Sequence, residues 1–74
     1  MQSAQFVKVI VEAPLGELDY RIGDNPVPRI GSRVLVQLGA RRVIGLVTAL
    51  AETTELAEER VRPVLRVFND IPPL

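Results

Sequence analysis

Neither cysteine nor histidine occurs among the 74 residues. The first absence excludes disulfide staples. The two together remove the usual zinc ligands, the commonest general base and the thiol nucleophile. Serine occurs only at Ser3 and Ser32, and Lys8 is the sole lysine. The phosphate-binding signature Gly-x-x-x-x-Gly-Lys-[Ser/Thr] is missing. Glu58 and Glu59 pair two carboxylates, but in a stretch that reads as a solvated turn. No catalytic constellation can be assembled, so the chain reads as a binding module that needs no cofactor of its own. A long uninterrupted apolar run is lacking too. The opening MQSAQFVKVIVEA carries Lys8 inside its apolar segment, which fits neither a signal peptide nor a membrane span. The expected compartment is the cytoplasm, with no membrane partner.

What is present is apolar: 47% of the residues, mostly Val, Leu, Ile and Ala. That is ample for an ordered domain. A chain this short buries only about 60% of its unfolded surface, so apolar packing and ladder hydrogen bonds must carry the fold.

Nine basic and nine acidic side chains give zero net charge, which counts against a groove-binding nucleic-acid protein. The distribution is uneven. Arg21, Arg29, Arg33, Arg41 and Arg42 face a single acid, Asp24, in the span from residue 21 to 42, whereas Glu52, Glu55, Glu58 and Glu59 cluster without a base. Eight of the nine cations are arginine, the side chain suited to planar, bidentate phosphate contacts. Solvated strand edges and turns are the simpler explanation of arginines scattered in this way.

Along the chain, Phe6 to Val11 is rich in β-branched residues and reads as a strand, ended by Pro14 and Gly16. Leu18 to Ile22 alternates apolar and polar and predicts a short, half-buried strand. Gly23 to Pro28 is dense in turn formers and predicts a loop. Arg33 to Leu38 and Val43 to Leu50 predict a hairpin joined through Gly39-Ala40-Arg41-Arg42. Gly45 interrupts the second arm, as a bulge, a close backbone approach or a barrel bend would require. Thr53 to Arg60, with a capping Thr54 and early acids, predicts one or two helical turns before Pro63. Val64 to Phe68 predicts the last strand. The expectation is an all-β, small barrel-like domain of five to six short strands with one short helical turn, over residues 1–70. Residues 71–74, with paired prolines, then begin a linker toward the next domain of a longer protein.

Three segments carry a family resemblance. Phe6-Val7-Lys8-Val9-Ile10-Val11, then Pro14 and Leu18-Asp19-Tyr20, resemble a "V-x-V-x-[PL]" strand leading to an aromatic-Asp-Tyr triplet. Gly31-Ser32-Arg33-Val34-Leu35-Val36-Gln37-Leu38-Gly39, followed by Ile44-Gly45-Leu46-Val47, is similar to "G-x-R-V-x-V-x-[FL]-G" and "x-G-x-V". Arg62-Pro63-Val64-Leu65-Arg66-Val67-Phe68-Asn69-Asp70 resembles "K-P-V-x-x-V-L-D". In this order and spacing the segments resemble the amino-terminal 3′-end DNA-binding domain of PriA-type replication-restart helicases (primosomal protein N′).

The resemblance implies a module that captures the 3′ end of the nascent leading strand at stalled replication forks. The parent would be a primosomal ATP-dependent 3′-to-5′ DNA helicase that uses ATP, magnesium and zinc in other domains and works with other primosome proteins. It also implies roles for particular residues. Asp19 would accept a hydrogen bond from the terminal 3′-hydroxyl, and Tyr20 would line the same pocket. Gly39 would admit the nucleotide, and Arg62 stands where the family has lysine. Leu18 replaces the usual phenylalanine and would pack against the base. Arg41 and Arg42 are further candidates for phosphate contact. An aspartate at the terminus would repel a 3′-phosphate and so select a free end.

Local readings of these residues stay open beside the implied ones: Asp19 capping a turn, Tyr20 as core with a solvated hydroxyl, Gly39 as a hairpin glycine. A different class of function also remains, a small β-barrel protein-interaction or ribosome-associated module whose contact is the acidic stretch Glu52 to Glu59.

Overall fold

The computed structural model describes residues 4–11, 16–54, 56 and 60–69. Five strands form among them: β1 (Phe6–Ile10), β2 (Glu17–Arg21), β3 (Arg33–Leu38), β4 (Arg41–Ala51) and β5 (Arg66–Phe68). All pair antiparallel in one sheet of order β2-β1-β4-β3-β5. The domain is all-β, as composition and alternation predict.

Alternation decides the faces. Val7 and Val9 of β1, Val34 and Val36 of β3, and Val47 of β4 are at most 1% exposed. Each pair is spaced by two, the period at which side chains return to the same face of a strand. Tyr20, Ile22 and Val64 complete this cluster. The intervening positions, such as Lys8, Arg33, Leu35 and Gln37, belong to the other face.

β3 and β4 form a tight hairpin in which Leu38 faces Arg41, so the turn is Gly39-Ala40 alone. The glycine has φ +59° and no non-glycine residue among those described has a positive φ. Glycine at the first central position is the signature of the type II′ turn, whose twist suits a two-residue hairpin. The alternation read from Val43 onward therefore starts two residues late, because the arginines at the strand's start carry no hydrophobic signal.

Gly45 serves close approach. A Cβ there would press into the Val9 side chain and lie 3.0 Å from the Ile10 carbonyl oxygen and 3.1 Å from Val11 Cγ1. The bulge of β4 lies further on: Lys8 pairs with Ala49 while Val9 pairs with Val47, leaving Thr48 extra. The extra residue sharpens the local twist and bends the sheet.

The barrel-like expectation needs correction, because the sheet is not closed. Its two ends, β2 and β5, meet only where the chain before β5 passes Arg21, as an isolated parallel bridge from Arg21 to Pro63. There the Arg21 amide donates to the Arg62 carbonyl (2.9 Å) and the Val64 amide donates to the Arg21 carbonyl (2.8 Å). One step later the Leu65 amide donates to the Leu35 carbonyl (2.8 Å), joining the same segment to β3. Asn25 pins the preceding loop there, its side-chain amide donating to the Ile22 (2.9 Å) and Val64 (2.7 Å) carbonyls. β2 and β5 themselves form no ladder, so the seam stays open.

No α-helix forms among the described residues; of the predicted helical turn only Arg60 shows 3₁₀ geometry there, so that turn is not confirmed. Residues 55 and 57–59 of that stretch, and the expected linker over 71–74, lie outside the described residues.

Candidate nucleic-acid interface

The seam that the sheet leaves open holds a depression of about 220 Å³. Its walls are Leu18, Asp19 and Tyr20 of β2, Gln37 and Leu38 at the end of β3, and Gly39 of the turn, with Leu56, Arg60 and Arg62 from the connection to β5. Pairing parity turns the backbone edge of β2 toward the seam. The Arg21 N–H and C=O both bond across the seam. Asp19, two residues earlier, directs its backbone groups to the same side, since antiparallel ladders alternate with period two.

Asp19 stands opposite Lys8 in the β1–β2 register. The Lys8 ammonium donates to Asp19 Oδ1 at 3.0 Å, and the Thr54 hydroxyl donates to Oδ2 at 2.6 Å. The carboxylate is only 14% exposed, against 42% for the lysine side chain. The Thr54 hydrogen bond, opposed by burial and seconded by Lys8, holds the Asp19 carboxyl below its ordinary pKa. It stays ionised throughout the neutral range, and each oxygen keeps acceptor capacity beyond its present donor. Asp19 lies within β2, so it caps no turn.

Tyr20 is both core and wall. The residue is 4% exposed and its hydroxyl donates to the Gln37 carbonyl at 2.9 Å, so the hydroxyl is bonded rather than solvated. Burial raises the phenol pKa, with the nearby Arg62 charge opposing. Gly39 likewise combines two roles, shaping the hairpin and lining the depression with no protein atom within 4 Å of where a Cβ would stand.

Leu18, Asp19, Tyr20, Gly39 and Arg62 thus come together on one surface. Arg41 and Arg42 are exposed at the start of β4, beside the turn but off the wall of the depression. Sequence reasoning missed Gln37, Leu38, Leu56 and Arg60 on this wall. It also missed a second depression of about 310 Å³ that shares Leu18, Asp19 and Leu56 and adds Lys8 and Glu17. Lys8, opposite in charge to Asp19 and alone of its kind in the chain, was the one available signal.

A family model described as the 3′ DNA-binding domain of PriA matches residues 8–74. The chain belongs to the PriA 3′ DNA-binding domain family. It is accordingly a DNA 3′-end-binding module of a replication-restart protein rather than a catalytic domain. Neither a search of curated proteins nor one of solved structures returned a match. No group of His, Cys, Asp and Glu among the described residues is arranged to hold a metal ion, and no helix among them is long and apolar enough to cross a membrane.

Proposed function

We propose that the seam depression receives the 3′-terminal nucleotide of a DNA strand, the end that a nascent leading strand presents at a stalled fork. The module then serves a cytoplasmic primosomal 3′-to-5′ helicase, and other primosome proteins meet it through that parent. The observation that carries the reading is the convergence of Leu18, Asp19, Tyr20, Gly39 and Arg62, distant in sequence, on one open depression. Asp19 accepts the terminal hydroxyl, and its negative charge disfavours an end that carries a phosphate. Gly39 leaves room for the sugar. Leu18 and the 48%-exposed Leu56 offer apolar contact to any base, so little sequence preference follows. Arg60 and Arg62 supply phosphate contacts at the rim, with Arg41 and Arg42 further along the strand. A terminus-reader meets few phosphates, which reconciles the function with zero net charge.

Fluorescence anisotropy of the chain at low salt tests this, comparing one single strand ending in a 3′-hydroxyl with the same strand ending in a 3′-phosphate. Tighter binding of the hydroxyl end is expected. Equal affinity would reduce the domain to a general strand binder. The alternative docking role for the acidic stretch draws on no observation, since only Glu52 of its four acids lies within the described residues.

A further inference from the structure

We propose that Lys8 and Thr54 are positioning residues of the 3′-end site, which fix the Asp19 carboxylate and set how strongly it distinguishes a hydroxyl end from a phosphate end. The inference rests on the reading above that Asp19 meets the terminus.

Lys8 and Thr54 hold different oxygens of the carboxylate. Lys8 comes from the neighbouring strand and engages Oδ1, and Thr54 comes from the connection after β4 and engages Oδ2. Thr54 Oγ1 also accepts the Leu56 amide at 3.3 Å. Its hydroxyl has one proton, and that proton is committed to Asp19. The same residue therefore orients the acceptor and anchors Leu56, which lines both depressions. With both oxygens held, the carboxylate presents its remaining lone pairs in a fixed direction, before any DNA arrives.

Lys8 acts differently. Its ammonium is partly exposed and lines the second depression, so its charge is felt by whatever stands beside Asp19. A pair this exposed contributes little to stability. Its larger effect is on the site: the lysine offsets part of the aspartate's charge and softens the repulsion of a 3′-phosphate. The two partners thus pull selectivity in opposite directions. Thr54 raises it by orientation, and Lys8 lowers it by neutralisation.

The test measures the ratio of affinities for 3′-hydroxyl and 3′-phosphate strands at neutral pH by anisotropy, on the whole chain. Thr54→Val should lower the ratio, and Lys8→Met should raise it, each by about two- to fivefold. Thr54→Ser keeps the hydroxyl and Lys8→Arg keeps the charge, so both should retain the original ratio. The hydroxyl preference of Thr54→Val should also fade at a higher pH than that of the parent chain, because Thr54 is the main cause of the depressed Asp19 pKa. If Thr54→Val does not fold, the Lys8→Met and Lys8→Arg pair carries the test alone. An unchanged ratio in both Thr54→Val and Lys8→Met, with Asp19→Ala abolishing the preference, overturns the positioning role and spares the end-reading function. An unchanged ratio in Asp19→Ala overturns both.

Discussion

The valine core and the seam depression are built by opposite means. In the core, Val7, Val9, Val34, Val36 and Val47 are essentially without solvent contact, and each is placed by the alternation of its own strand. In the depression, Asp19 depends on a lysine from another strand and a threonine from a distant connection, while Gly39 and Arg62 stay exposed. One region uses shape and burial, and the other uses charge and open space. The first should respond to substitution in stability and the second in binding.

The largest effect is expected at Gly45. Replacing it with alanine pushes a methyl group into Val9 and toward the Ile10 carbonyl, backbone that cannot give way. A loss of about 3 kcal/mol in denaturant unfolding is predicted. The domain should lose selectivity only by unfolding. A Gly45→Ala chain as stable as the parent would refute the close packing of β1 on β4.

Gly39→Ala sharpens the contrast. Its Cβ meets no protein atom, so the cost is the left-handed backbone, about 1 kcal/mol. Affinity for a 3′-hydroxyl strand should fall roughly tenfold, equivalent to ~1.4 kcal/mol, because the methyl group occupies the depression. Should stability fall as far as for Gly45→Ala while binding by the folded fraction is unaffected, Gly39 is a hairpin glycine alone.

The smallest effect concerns pH. Because the folded pKa of Asp19 is depressed, its contribution to stability is present above the ordinary carboxylate pKa. It is lost as pH falls through the depressed value. Urea unfolding measured down the acid limb should therefore show a shallower decline for Asp19→Asn than for the parent chain. Parallel declines would mean that the Lys8 and Thr54 contacts do not favour the ionised form.

The same contrast explains what the sequence discloses. The five strands follow from β-branched runs, alternation and turn residues, all local signals, and β3 was readable to the residue because Gly31-Ser32 and Gly39 bracket it. β4 was read short because Arg41 and Arg42 lack an apolar signal. Sheet closure was misread because it depends on how far β2 and the short β5 can pair, a long-range property that no window of residues contains. Among the site residues, those given a role by family-like motifs were legible. Thr54, Leu56 and Arg60 lie outside those motifs, and Lys8 and Gln37 lie inside them without a role the motifs assign; each joins the site through tertiary register, as when the Lys8–Asp19 pairing comes from hairpin geometry rather than sequence spacing.

The most direct test of the account replaces Asp19 with alanine and measures binding to two DNAs, a linear single strand with a free 3′-hydroxyl and a circular single strand of the same length that has no end. End reading predicts a marked loss on the linear strand and little change on the circle, with the fold retained. Equal losses on both would contradict the assignment of Asp19 as the group that meets the 3′ terminus.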